Sequence, residues 1–215
     1  MFLTLFYVAP EPVALSKHDM TKLTQTPSQT VGPFFAYGLT PAQYGFELPS
    51  LFTPVLAQPH AAGQHIRLIG QVRDGASNTM HDAIVEISHA DSQGKLPRTQ
   101  QDVDSSGFTG FGRCGTGTHA QDHFVFDTIK PGIMAPEQAP FISVCILARG
   151  LLLHTFTRIY FEDEAEENLN DGVLQSLPID RRSTLIARRE LTHHGAVYRF
   201  DIHMQGEQET VFFDL

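Results

Sequence analysis

From residue 65 onward the chain is written in short apolar runs, and glycine, proline or a polar stretch interrupts it between them. The segment 65–74 (HIRLIGQVRD) places Ile66, Leu68 and, less regularly, later apolar residues at period two, so it reads as a strand, and 82–89 (DAIVEISH) reads as a second. In the second, Ala83, Val85 and Ile87 share a face and Glu86 and Ser88 share the other. The run 123–128 (HFVFDT) alternates cleanly. The run 141–148 (FISVCILA) is almost wholly apolar and predicts a strand covered on both faces. Further strands are read at 156–161, 184–189, 196–204 and 210–214, with Asp74-Gly75, Lys130-Pro131-Gly132 and His194-Gly195 as punctuation. The segment 91–117 is polar and rich in glycine and serine, so it reads as a long loop broken by a short element at 108–113. Only 162–177, which starts acidic and holds helix formers, predicts a short helix. About eight short strands at this spacing predict an all-β, two-layer β-sandwich.

The preceding region has a different texture. Residues 20–60 carry Pro27, Gly32, Pro33, Pro41, Pro49, Pro54 and Pro59, a density that forbids long helices and interrupts ladders. It reads as an extended arm laid over something else. The expected organisation is an extension at 1–20 that is non-native or disordered, an arm with loops at 21–62, and a sandwich domain at 63–215. Residues 1–14 hold a short apolar stretch without a basic start, so the expectation is an upstream start with Met20 as working initiator, rather than a secretory leader. A chain of 215 residues can bury a core without staples. Its two cysteines suit a reducing cytoplasm, and its formal charge of −9 argues against nucleic acid as the main ligand.

The side chains offer little chemistry of their own. Eleven histidines invite a search for metal ligands, but a strand presents a metal pair as His-x-His and none occurs. His119 and His123 have helical spacing in a loop context, and His193-His194 falls in a turn. No Gly-x-Ser-x-Gly elbow or phosphate loop is present. Cys145 lies in an apolar run and reads as a small buried hydrophobe, whereas Arg113 could activate Cys114 only beside a placed base. The acidic run 162–167 (EDEAEE) reads as a solvated helix start. Three features are left unexplained: the turn-rich 26–35 on the arm, the charge at Arg149-Gly150 that ends the most apolar strand, and the hydrophobic C-terminus 210–215.

Six stretches, in this order, resemble the intradiol ring-cleaving dioxygenases: TPSQTVGPFF (26–35), FGRC (111–114), TIKPG (128–132), LARG (147–150), TRIYFEDEAEEN (157–168), and YRFDI through QGEQETVFFDL (198–215). The likeness is narrower to the α chain of the family's two-chain members. It implies a β-sandwich, a homologous β chain, and a large hetero-oligomer with protocatechuate and O2 bound at the chain interface. It also implies Fe(III) held by the β chain through two tyrosines and two histidines, a donor set that suits a hard cation.

Carried over position by position, the ligand places hold Leu96, Met134, Phe141 and Ser143 in this sequence. Leucine and phenylalanine have no donor atom, a thioether is soft, and a lone hydroxyl is weak, so the resemblance implies no iron on this chain and no catalytic group of its own. Gln138-Ala139-Pro140 also lacks the arginine that precedes His-x-His in the β chain, and Thr155-Phe156-Thr157-Arg158 departs from the Leu-His-Thr-Arg of comparable α chains. The substrate-facing positions implied are Thr30, Gly32, Pro33 and Phe34 on the arm, with Arg149 either facing the substrate carboxylate or fixing the interface. Pro33 and Phe34 would form an apolar wall, and Gly32 would permit close backbone approach. A non-catalytic β-sandwich acting as a binding or assembly module, and a self-sufficient dioxygenase with unusual ligands, stand as alternatives.

Overall fold

The computed structural model describes residues 26–193 and 195–214, so the expectations for 1–25, His194 and Leu215 lie outside the described residues. Nine strands follow the predicted order: β1 (His65–Arg73), β2 (Ile84–Ser88), β3 (Phe111–Gly115), β4 (His123–Ile129), β5 (Phe141–Leu147), β6 (Thr155–Phe161), β7 (Ile186–Thr192), β8 (Gly195–Arg199) and β9 (Ile202–His203). They form two layers, β3-β2-β5-β6 and β7-β8-β1-β4, with β9 paired to the end of β1. Neighbours are mostly antiparallel; β1–β8, β1–β9 and β6–β7 are parallel.

The layers are joined at one side by a two-residue parallel contact, Tyr160 with Ile186 and Phe161 with Ala187. At the other side the end of the arm closes the gap. The Leu56 N–H donates to the Asp127 carbonyl on β4 at 2.8 Å, and the Arg113 N–H on β3 donates to the Thr53 carbonyl at 3.2 Å. The edges of β3 and β4 are thus capped by the arm rather than left unpaired. Between the layers sits a core that includes Leu68, Val85, Ile87, Phe124, Phe126, Ile142, Val144, Ile159, Phe161 and Tyr198. The period-two patterning explains this choice, because residues i and i+2 on each strand face the other layer.

Several local expectations are corrected. The predicted loop at 91–117 contains helix α2 (Gln100–Ser106), started by a capping box in which the Thr99 hydroxyl accepts from the Asp102 N–H and Asp102 accepts from the Thr99 N–H. The arm is not extended throughout, since α1 (Phe35–Leu39) forms within it. The acidic helix is two pieces, α3 (Ala165–Asn170) and α4 (Gly172–Ser176), broken at the cap Asp171, and α5 (Ile179–Arg182) follows. The predicted strand 196–204 breaks at Phe200-Asp201, where the Asp201 carboxylate takes the Gln71 N–H at 3.0 Å. Residues 210–214 make only an isolated bridge, Phe213 to Phe156, instead of a strand. Lys130-Pro131-Gly132 is no turn: the chain runs on, and the Gly132 N–H donates to the Asp91 carbonyl at 2.8 Å.

The most telling difference is β5. Its inner residues Ile142, Val144 and Ile146 are buried, but Ser143 is exposed and Phe141, Cys145 and Leu147 are half-buried. Among the described residues the strand is covered on one face, not on both.

Candidate functional site

The arm returns to the sandwich at the turn after β5. Gly150 there has φ 94°, a conformation that side chains resist, so glycine is required for the reversal. Its N–H donates to the Thr30 hydroxyl at 2.8 Å, which ties the arm to this turn. One residue earlier, Arg149 directs its Nε to the Asp82 carboxylate. The arginine side chain is about half exposed, at 49%. Its terminal nitrogens Nη1 and Nη2 have no partner among the described residues.

The arm's second foot stands nearby. Tyr37 packs edge-on to Tyr44 with ring centres 4.8 Å apart, and Phe34 lies 6.0 Å from Tyr37. Tyr44 covers the close-packed Gly115 and Gly117. Burial, then the neighbouring Tyr37, raise its phenol above the ordinary tyrosine range, and the Asp82 charge adds to this. Gln43 secures the same place, its Nε2 donating to the Gly115 carbonyl at 2.7 Å and its Oε1 accepting from the Gly115 N–H at 2.9 Å. Between Thr30 and Tyr44 the arm carries Gly32, Pro33 and Phe34, all exposed, with Phe34 at 73%. A Cβ on Gly32 would meet nothing within 4 Å among the described residues, so the backbone there is open to close approach. The structure thus brings Thr30 and Arg149-Gly150 together and leaves Gly32, Pro33 and Phe34 exposed farther along the arm.

The four ligand positions fall in two places. Leu96 and Met134 lie on two loops that pack together: Gly94, at φ 76°, leaves no room for a Cβ, which would lie 1.9 Å from the Ile133 carbonyl oxygen. Both side chains are substantially exposed. Phe141 and Ser143 share the outer face of β5. In register beside them on β6 lie Tyr160 and Arg158. The Arg158 guanidinium sits 4.2 Å from the centre of the Phe141 ring and 5.9 Å from that of Phe213. Sequence reasoning missed this arginine as a feature; the alternation of 155–161 places it on the same face as Ser143. A carbon side chain, a thioether, a phenyl ring and one hydroxyl beside a fixed cation do not fit a ferric ion.

The rest of that outer face is an apolar groove of ≈ 430 Å³ lined by Phe111, Ser143, Cys145, Leu147, His154 and Phe156. Cys145 is therefore a half-buried groove residue; that partial burial, then Glu86, push its thiol up to about 11. Cys114 faces the opposite way, into the core, and burial pushes it likewise to about 11. Arg113 does not reach it but pairs with Glu86 at 2.6 Å. The acidic run is the exposed helix start expected, with Glu166 and Glu167 in the first turn of α3, and it also carries ion pairs that the sequence did not announce. Asp163 and Glu164 hold the largely buried Lys130, Asp163 also accepts from the Tyr198 hydroxyl at 2.9 Å, and Glu162 accepts from the Arg189 N–H. This network anchors the base of the loop that carries Met134. His119 is exposed, and His123 Nδ1 donates to the Ala120 carbonyl at 2.8 Å.

Comparison with known proteins adds independent information. No protein-family model matches the chain. It is 55% identical over 197 residues to the protocatechuate 3,4-dioxygenase alpha chain of Burkholderia cepacia, covering 91% of this chain and 100% of that one. It is 40% identical over 202 residues to the corresponding alpha chain of Pseudomonas putida, covering 89% and 97%. Among solved structures, the dioxygenase domain of a carbohydrate-binding fusion protein from Streptomyces sp. SirexAA-E matches with TM-score 0.58 at 22% identity, over 87% of this chain and 100% of that one. An intradiol ring-cleavage dioxygenase from Tetranychus urticae matches with TM-score 0.56 at 16% identity, over 74% and 88%. These two likenesses speak for the fold. No helix among the described residues is long and apolar enough to cross a membrane.

Proposed function

Because the chain belongs to the protocatechuate 3,4-dioxygenase alpha chains, we propose that it serves as the iron-free half of a two-chain intradiol dioxygenase. With a homologous β chain it cleaves 3,4-dihydroxybenzoate with O2, between the two hydroxyls, to 3-carboxy-cis,cis-muconate. The observation that carries this reading is the identity to an alpha chain over that relative's whole length. The two thiols, both free, accord with a cytoplasmic setting.

Ferric ion, held by the β chain, supplies the Lewis acid and electron acceptor that make a catechol reactive toward O2. This chain's residues do the rest of their work at the boundary. Pro33 and Phe34 offer exposed apolar surface that a partner site can use as a wall, and burying it excludes water from the reacting ring. Arg149 offers an end-on guanidinium fork, the geometry that a carboxylate accepts in two parallel hydrogen bonds. Thr30 holds the arm against the same turn. In this reading Thr30, Gly32, Pro33, Phe34 and Arg149 form one continuous lip.

The Arg149–Asp82 pair favours a second reading, in which arm and arginine serve assembly alone. Co-expression with a homologous β chain that carries the Tyr, Tyr and His-x-His ligands separates the two. The pair should cleave protocatechuate while neither chain does so alone. Phe34→Ala and Arg149→Met in the intact assembly should raise KM about tenfold or more. Intact assemblies of both variants with unchanged KM would leave assembly as the whole role.

A further inference from the structure

The proposed role of Arg149 depends on where its guanidinium points, and the chain contains a device for that. Arg149 follows β5 and stands on a flexible side chain with about half its surface in water. An unrestrained arginine there would lose considerable rotamer freedom on meeting a ligand. Two contacts reduce that freedom. The Gly150 N–H is held by Thr30, which fixes the backbone of the turn. The Arg149 Nε is held by the Asp82 carboxylate, which fixes the side chain. Asp82 is itself seated on the segment just before β2, next to His81, whose carbonyl packs against Gly117 beneath Tyr44.

The choice of Nε is the informative detail. A carboxylate on Nε blocks the side-on edge of the guanidinium and leaves the Nη1/Nη2 edge available. That edge accepts a second carboxylate end-on. A pair formed only for stability gains little at this exposure, since such ion pairs are worth about 0–1 kcal/mol.

We propose that Asp82 is a positioning residue for the substrate carboxylate: it holds Arg149 through Nε and so keeps the end-on Nη1/Nη2 fork free for that carboxylate. The proposal rests on the reading that Arg149 meets the substrate. It makes Asp82 a determinant of specificity for catechols bearing a carboxylate over catechols without one.

The test uses the assembled two-chain enzyme and two substrates, protocatechuate and the uncharged 4-methylcatechol. The readout is the ratio of their kcat/KM values. Asp82→Ala should lower that ratio about tenfold, through KM for protocatechuate rather than kcat. Asp82→Asn, which keeps an acceptor oxygen for Nε, should restore the ratio to within about threefold of the parent. A merely structural role would affect both substrates alike, so an unchanged ratio in Asp82→Ala overturns the proposal. Arg149→Met is the control for the underlying reading. If it leaves the ratio unchanged, the substrate-facing role of Arg149 fails; if it lowers the ratio while Asp82→Ala does not, only the positioning role fails.

Discussion

Arg158 places its guanidinium 4.2 Å from the centre of the Phe141 ring, on the strand face where Ser143 also stands. Phe141 and Ser143 occupy positions that are histidines in iron-binding relatives, as the family resemblance implies. The chain therefore departs from a metal site twice, by lacking donors and by fixing a positive charge beside the place where donors would be. Grafting the ligands alone should not suffice. The quadruple variant Leu96→Tyr, Met134→Tyr, Phe141→His, Ser143→His should bind Fe(III) at least about tenfold more weakly than the same variant carrying Arg158→Gln, because a fixed cation opposes a trivalent one. Titration with ferric iron, followed by tyrosinate charge-transfer absorption, checks this. Equal affinity of the two would show that Arg158 is electrostatically irrelevant.

Asp171 is the most heavily bonded side chain around that face. Its carboxylate, almost wholly buried, accepts from the N–H groups of Ala139, Val173 and Leu174 and from the Tyr160 hydroxyl. It caps α4 and pins the entry to β5 in one step. Asp171→Ala leaves those donors buried and unpaired, so the chain should lose about 3 kcal/mol of stability. Urea denaturation measures it; a loss below about 1 kcal/mol would mean that water takes over the carboxylate's bonds.

His89 gives the chain a pH-dependent stability. It lies buried beside Phe108, and its Nδ1 donates to the Ala90 carbonyl at 2.7 Å. Nε2 must then accept from the Thr128 hydroxyl at 2.8 Å, which fixes a neutral tautomer. Burial pushes the ring down to about 4 from its ordinary 6.5. The unfolded chain thus binds a proton that the folded chain refuses, and stability contributed by neutral His89 is present above about pH 6.5 and lost as pH falls toward 4. The loss is on the order of 3 kcal/mol across that window. His89→Gln should flatten the slope of unfolding free energy between pH 6.5 and 4, whatever its effect at pH 8. An unaltered slope would assign the acid sensitivity to other groups.

Thr30 ties the arm to the Gly150 turn through one hydrogen bond. Thr30→Val keeps the shape and removes the acceptor, so it should weaken arm docking by about 1 kcal/mol. Thr30→Ser should restore it. Limited proteolysis in the 26–34 region, compared across the three proteins, reads this directly. Equal cleavage rates would show that the aromatic foot at Tyr37 and Tyr44 holds the arm unaided.

Lys130 is the cation of a partly buried cluster with Asp163 and Glu164. Burial alone would depress its ammonium, but the hydrogen bonds it donates to Glu164 and Asp163 outweigh that and raise it above the ordinary lysine range. Lys130→Met should cost about 3 kcal/mol, since it leaves two carboxylates facing each other without a counter-charge. Thermal unfolding at neutral pH checks it; a smaller deficit at pH 4 than at pH 7 is expected, because protonation of the acids removes their repulsion.

The alternation of apolar residues was enough to locate most of the strands, because a strand's two faces are set by its own periodicity and the buried face must be apolar; it overran at 196–204 and misled at 210–214. The family resemblance, not the alternation, singled out Leu96, Met134, Phe141 and Ser143, and their side-chain chemistry marked them as poor donors without coordinates. Local capping chemistry was present in Thr99 and Asp102 but weak beside the glycine and serine around it, so α2 read as loop. What the tertiary structure alone decided was company. That Gly150 meets Thr30 across 120 positions, that Arg149 meets Asp82 across 67, and that the outer face of β5 is left open are consequences of how the layers stack and where the arm lands. Such pairings depend on loop closure and on packing summed over the whole chain, and no run of neighbouring residues encodes them.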